Sequence, residues 1–314
     1  KEFLTDPRVI DKSKLFRSII VNGIIVPRRA PKSAKIYQEL WDLWDGESPL
    51  LTFGYKVQEL TQERLGKEAD VFFAMRYQSP SLELEMEKIQ KGNYEKIIVL
   101  PLYPHYASSS TGSTMEKVME IVSKWWTIPE ISIIPQFYDH PKYIDSFVAR
   151  AKQYDIDSYD HILFSYHGLP IRHLDKGYTD GALCSDHNCE HEVDEDAKFC
   201  YKAVCYETTR LIASQLGLKE SDYSVAFQSR LGRDPWIQPF SDVVVEEKAK
   251  EGVKKMLAFS PAFIADCLET SIEIGDEYQE IFEEHGGEKI QLVESLNDHP
   301  LWIDCIEDLV RNRM

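Results

Sequence analysis

"SDYSVAFQSRLGRDPWIQPFSDVVVEEKAKEGVKKMLAFSPAFIA" (221–265) carries the fold of this chain. It reads as an apolar strand, a polar loop, an amphipathic helix, a Gly turn and a second apolar strand that ends at a Pro and an aromatic. A strand–helix–strand unit is the building block of a parallel sheet. An earlier stretch, "ADVFFAMRYQSPSLELEMEKIQKGNYEKIIVLPLYPHYA" (69–107), runs in the same order, so a strand is expected at its start as well. Each copy ends on a Lys-led apolar strand that follows a Gly. The repeat predicts a duplicated, doubly wound α/β architecture.

Between the copies, "MEKVMEIVSKWW" (115–126) and "HPKYIDSFVARAKQY" (140–154) read as helices around a strand at "EISIIPQFY" (130–138). "HILFSYHGLP" (161–170) is a further strand, and "YETTRLIASQLG" (206–217) a helix. The expected boundaries are a first α/β domain over 1–145, joined by a C-terminal helix at 299–314, and a second over 146–298. A cysteine-rich insertion falls at 180–205.

Composition narrows the function. The 314 residues are 43% hydrophobic, enough for a packed core. The net charge is −17, from 53 acidic and 36 basic residues. That excess argues against nucleic acid as a partner, because phosphate binding rests on Lys and Arg. No apolar run approaches the ~18 residues of a membrane span. "KLFRSIIVNGIIVPRRAPK" (14–32) is apolar and then basic, a pattern suited to a core helix or to contact with a membrane surface.

Parallel sheets bind ligands beyond the carboxyl ends of their strands. Arg76, Tyr106, His167, Ser229 and the turn Pro261–Phe263 fall at such ends. His167 is followed by Gly168 and Pro170, a turn that lets a ligand approach closely, and a single imidazole there suits proton acceptance. In "FIADCLETSIEIGDEYQEIFEE" (263–284), Glu269, Glu273 and Glu277 recur every fourth residue and form one acidic row on a helix. Such a row attracts hydrated divalent cations, although a solvated helix face reads the same way. The hydroxyls of "YPHYASSSTGS" (103–113), with Arg230, Arg233 and Trp236 of "QSRLGRDPWIQP" (228–239), suit a flat aromatic ligand with acidic arms.

"FSYHGLP", "QSRLGRDPW" and "FSPAFIADCLET", in that order, resemble ferrochelatases, which insert ferrous iron into a porphyrin. "FLTDPRVI" (3–10), "GESPL" (46–50), "MRYQSP" (75–80) and "YPHYASSSTGS" extend the resemblance over essentially the whole chain. It implies two similar Rossmann-like, chelatase-type domains with a cleft between them. It also implies catalytic roles for His167 and Glu269, and a metal path along Glu273 and Glu277. Arg76, Tyr77, Tyr103, Tyr106, Ser113 and Trp236 would contact the porphyrin, either protoporphyrin IX or coproporphyrin III. Bacterial members are cytoplasmic, or peripheral to the inner face of the membrane with an apolar lip near residues 15 to 30.

Three departures from the family pattern are visible, one of them Glu47 of "GESPL", where a second Gly is common. The strand and "NLGTP"-like loop that normally precede "FLTDPRVI" are expected to be missing, and Cys267 stands on the metal path where some members have His. Two rival readings remain at this stage. One is a non-catalytic porphyrin or haem carrier, and the other a cobalt or nickel chelatase acting on a different tetrapyrrole.

Cys184, Cys189, Cys200 and Cys205 form C-x4-C-x10-C-x4-C around a polar, acidic stretch that cannot fold by burial alone. Four thiolates suit an iron–sulfur cluster better than a zinc ribbon, whose pairs are closer in sequence. Some bacterial ferrochelatases resemble this in carrying a [2Fe–2S] cluster on an internal cysteine-rich insertion. Cys205 suits a core position equally well.

Overall fold

A computed structural model describes residues 2–178, 181–193, 198–230 and 234–314. It divides into two compact units, Lys1–Gln136 with Ile306–Met314, and Phe137–Cys305.

In the first unit, helices α1 (Glu2–Thr5), α2 (Lys14–Ile20), α3 (Val26–Leu43) and α4 (Pro49–Leu65) precede α5 (Leu82–Gly92), β1 (Lys96–Val99), α6 (Ser113–Val122) and β2 (Glu130–Ile133). β1 and β2 pair in parallel, Lys96 opposite Glu130 and Val99 opposite Ile133. Leu82 and Met86 of α5 bury against Ile97 of β1 and Val118 and Val122 of α6, as the apolar spacing of those helices requires. The strand expected from Ala69 is not part of the sheet. Only Met75 bridges, to Ser81, because a strand is defined by its ladder and the described residues around 69–74 give it no neighbour.

The second unit holds α7 (Pro141–Ala151), β3 (His161–His167), α8 (Ile171–Asp175), α9 (Tyr201–Leu216), β4 (Tyr223–Gln228), α10 (Ser241–Lys250), β5 (Lys255–Phe259), α11 (Tyr278–Glu284), β6 (Lys289–Leu292) and α12 (Pro300–Arg311), which runs past the unit's last residue. Its sheet has the order β4-β3-β5-β6 with every pair parallel. The alternation of strand side chains gives it two covered faces. Leu163, Ala226, Met256, Ala258 and Ile290 pack with Val244 and Val245 of α10 and Tyr278 and Phe282 of α11. On the other face Phe164 stacks on Phe259 with centroids 4.7 Å apart, and the Tyr166 hydroxyl meets Thr209 of α9 at 2.8 Å. Six of the seven β3 residues are buried, as expected of a central parallel strand.

Two helices differ from expectation. α9 begins at Tyr201 rather than Tyr206, because Cys200 takes up the extended backbone that opens a helix. Glu269–Glu277 is a π-helix, hydrogen-bonded i to i+5, and only Tyr278–Glu284 continues as α-helix. Such wide turns mark functional sites more often than plain helix does.

Candidate active site

Strand order decides where a ligand can enter the second unit. The chain passes from β3 to β4 on one side of the sheet, then returns to place β5 on the other side of β3. This reversal is a topological switch point, and it opens a crevice at the carboxyl ends of β3 and β5. His167 is the last residue of β3. Phe263, just past β5, lies with its ring centroid 6.3 Å from the imidazole.

The imidazole is oriented by its own turn. His167 Nδ1 lies 2.6 Å from the Gly168 carbonyl. A carbonyl only accepts, so Nδ1 carries the hydrogen and Nε2 presents a lone pair. No described residue is hydrogen-bonded to Nε2. The turn is closed by Gly168 N–H, which donates to the Gln228 carbonyl at 2.7 Å. A Cβ at Gly168 would stand 2.7 Å from that same oxygen and 3.3 Å from Trp236, so only glycine fits. Trp236 thus packs on the histidine turn. Its backbone segment is held there by Ile171 N–H to Pro235 O at 2.9 Å and Ile237 N–H to Leu169 O at 3.0 Å.

The acidic row is graded in exposure. Glu269 and Glu273 are half-buried and Glu277 is exposed. Glu273 is held by four donors: the Ser229 amide at 3.0 Å, Gln228 Nε2 at 3.1 Å, Tyr278 Oη at 3.1 Å and the Ser229 hydroxyl. The same Gln228 amide donates to the Glu269 carbonyl at 2.9 Å, and its Oε1 accepts from Ser165 at 2.6 Å. Four donors fix the orientation of this carboxylate. Cys267 is buried beside Glu269. Burial and then the charge and hydrogen bond of Glu269 push its thiol well above the usual range, so it remains protonated.

Five of the residues expected at the porphyrin fall into two groups in the first unit. Arg76, Tyr77 and Ser113 converge on Asp6, a buried carboxylate that sequence reasoning missed. Asp6 Oδ2 accepts from Arg76 Nη2 at 2.7 Å, Tyr77 Oη at 2.9 Å and Ser113 Oγ at 2.6 Å. Arg76 Nε donates to Ser113 Oγ at 2.8 Å, and the guanidinium lies 4.5 Å from the Tyr77 ring centroid. The signal for Asp6 was the "TD" ending of a short helix, which only a tertiary contact makes meaningful. Tyr106 is half-buried and its hydroxyl faces Gly112, whereas Tyr103 is exposed.

In the second unit, Arg230 forms a bidentate pair with Asp242 at 2.8 and 2.9 Å and lies over the Phe240 ring, so its fork is already committed. Arg233 lies outside the described residues.

Cys184, Cys189 and Cys200 are buried, with their sulfurs within 4.8 Å of one another. A tetrahedral metal with bonds of about 2.3 Å spaces its sulfurs about 3.8 Å apart, so the three thiols fit one metal centre. Cys205 is not part of that group. It lies fully buried in α9, hydrogen-bonded to Tyr201.

The second unit's parallel sheet, with an oriented histidine at its switch point, has the architecture of a chelatase. Among solved structures, SirB from Bacillus subtilis with Fe3+ superposes with a TM-score of 0.55 at 15% identity, covering 85% of this chain and 91% of that one. The sirohydrochlorin chelatase SirB of Bacillus subtilis subspecies spizizenii, in complex with cobalt, gives 0.52 at 14%, covering 82% and 88%. Those likenesses define the fold.

The family model for ferrochelatase matches residues 1–314. The ferrochelatase of Coxiella burnetii (strain Dugway 5J108-111) is 41% identical over 316 residues, covering 100% of this chain and 87% of the relative. That of Ectopseudomonas mendocina (strain ymp) is 40% identical over 309 residues, covering 98% and 90%, and that of Legionella pneumophila (strain Lens) 40% over 313, covering 100% and 92%. The chain belongs to the ferrochelatase family, the metal chelatases that insert ferrous iron into porphyrin to make haem.

Proposed function

We propose that insertion takes place at the carboxyl ends of β3 and β5, with His167 as the proton acceptor. A free-base porphyrin must release two pyrrole protons as one Fe2+ enters, so Nε2 accepts them one at a time and passes the first to water before taking the second. The observation that carries this reading is the His167 ring. Its Nδ1–H is tied to the Gly168 carbonyl and its Nε2 lone pair has no partner among the described residues. Protonation at Nε2 yields an imidazolium whose Nδ1–H still points at a carbonyl dipole, which stabilises the charge.

Glu269 is the carboxylate that meets the metal, and Glu273 and Glu277 continue the path outward. The gradient from half-buried to exposed along the row supports that order. Glu273, held by four donors, is a positioned ligand rather than a side chain that moves. Trp236 offers a flat wall beside the turn. Arg76, Tyr77, Tyr103, Tyr106 and Ser113 complete the porphyrin contacts, with Arg76 and Ser113 acting through the Asp6 node rather than as free donors. Anaerobic ferrous insertion into protoporphyrin, compared between wild type and His167→Ala, tests the assignment.

The three grouped thiols support a metal centre, and we read it as a [2Fe–2S] cluster held by Cys184, Cys189 and Cys200; Cys205, expected as the fourth thiolate, lies outside that group and is fully buried in α9. Iron and sulfide in equal amounts, with zinc absent, are expected in anaerobically purified protein. Cys184→Ser, Cys189→Ser and Cys200→Ser should each lose that content. Zinc at one equivalent in the wild type would reject the cluster.

No helix among the described residues is long and apolar enough to cross a membrane. Leu15, Phe16, Ile19 and Ile24 are nonetheless exposed on a segment that also carries Lys14, Arg17, Arg28 and Arg29. This composition supports contact with the anionic inner leaflet by a cytoplasmic enzyme. Sedimentation with anionic but not neutral vesicles is expected, and replacing Leu15 and Phe16 with Ser should abolish it.

A further inference from the structure

Cys200 and Tyr201 are adjacent in sequence and serve different partners. Cys200 completes the three-thiol group and takes the position just before α9. Tyr201 opens α9 and donates its hydroxyl to the backbone carbonyl of His167 at 2.9 Å. That carbonyl belongs to the last residue of β3, where the ladder to β4 ends opposite Gln228. A second tie runs from the far side of the turn. α8 follows it directly and ends at Asp175, whose carboxylate accepts from the Cys184 amide at 3.0 Å. The thiol group is therefore bonded to the chain both before and after the histidine turn.

We propose that Tyr201 is a positioning residue for His167, and that metal bound by Cys184, Cys189 and Cys200 keeps Tyr201 in place. The segment carrying Cys184 and Cys189 is polar; Tyr178 stacks on its His187 and Lys202 pairs with its Glu190, and metal ligation adds the tie from its thiols to Cys200. Without the metal, the Cys200 side of the α9 cap loses its tie to the other two thiols, and the first turn is held by the burial of Ala203, Val204 and Cys205 alone. Helix ends are where local opening begins. Tyr201 lies in that turn, and its departure releases the His167 carbonyl. A misplacement of about 1 Å at a reacting group can cost on the order of 100-fold in rate. The inference rests on His167 being the group that meets the porphyrin.

The test compares full-length wild type and Tyr201→Phe, each with metal and after anaerobic removal of the metal by a chelator. With metal bound, Tyr201→Phe should keep its metal content and its porphyrin KM while kcat falls about tenfold, the loss of one positioning hydrogen bond. Metal removal should lower kcat in wild type by a similar or larger factor and add little in Tyr201→Phe. Amide exchange at Gly168, whose N–H bonds Gln228, should quicken in the metal-free wild type and in the metal-bound variant alike. Unchanged Gly168 exchange in either would overturn the proposal, as would metal removal that slows both proteins by the same factor. The exchange readout does not depend on turnover. A faulty assignment of His167 would show separately, as an active His167→Ala.

Discussion

His167→Ala should lower ferrous insertion by between about 100- and 10,000-fold, the range spanned by removal of a general base. The size follows from what no neighbour can replace. Among the described residues around the turn, the imidazole presents a ring nitrogen with no hydrogen-bond partner; the Glu273 carboxylate is held by four donors, the Cys267 thiol is kept protonated by burial and by Glu269, and Glu269 itself is given to the metal. Porphyrin binding should change by less than threefold, because the Trp236 wall is fixed by backbone hydrogen bonds to Leu169 and Pro235 that the substitution leaves alone.

Absorbance of the metallated product, with porphyrin affinity measured by fluorescence quenching, separates the two quantities. A carrier would bind porphyrin and turn over in neither protein. Wild-type turnover with a variant within tenfold of it would move the proton acceptor elsewhere, and Glu269→Gln would then be the next substitution. His167→Gln is the informative control. It offers a neutral hydrogen-bonding side chain without a titratable nitrogen, so it should be as slow as alanine if the role is proton transfer.

The sheet of the second unit was legible because each strand is a local signal. "HILFSY", "VAFQ" and "MLAF" are apolar runs bounded by turns, and parallel strands buried on both faces must read that way. His167 was legible for the same reason, since a strand end is visible in sequence. The Ala69 strand was not, because its assignment depends on a ladder partner that no local pattern reveals. The π-helix was equally hidden. Residues spaced by four suit an α-helix, and the wider hydrogen bonding over Glu269–Glu277 comes from tertiary ties such as those of Glu273 to Ser229 and Gln228. The four cysteines gave a motif, but sequence spacing could not separate the three that converge from Cys205, which a helix starting at Tyr201 turns toward the Tyr201 hydroxyl. Asp6 is the clearest omission. Its side-chain partners are 70 to 107 residues away, and nothing in "FLTDPRV" announces them.

Arg76→Ala should destabilise the first unit by about 3 kcal/mol, the lower end for breaking a buried ion pair, because Ser113, Tyr77 and the Arg8 amide still donate to Asp6. For a unit of this size that is about 6 to 12 °C in melting temperature. Adding Asp6→Ala should recover part of the loss, since the double variant no longer buries an uncompensated carboxylate. Arg76→Lys should recover less than its charge suggests, because an ammonium cannot serve Ser113 and Asp6 with the same fixed fork.

The pH dependence has a definite sign. Burial raises the Asp6 carboxyl, but hydrogen bonds from Ser113, the Arg8 amide and Tyr77, together with the Arg76 charge, outweigh it and hold the pKa below its ordinary value. A lowered folded pKa means that this stability is fully present above the unfolded value of about 3.9 and is lost as pH falls through the folded one. Wild type should therefore lose the contribution only below about pH 4, and Asp6→Asn should show a correspondingly flatter acid limb. If Arg76 were instead a free anchor for a porphyrin carboxylate, Arg76→Ala would raise the porphyrin KM and leave the melting temperature within a degree. Its 2.7 Å bond to a carboxylate only 3% exposed on its side chain argues for the first outcome, in which Arg76 is held within a closed node of four polar groups.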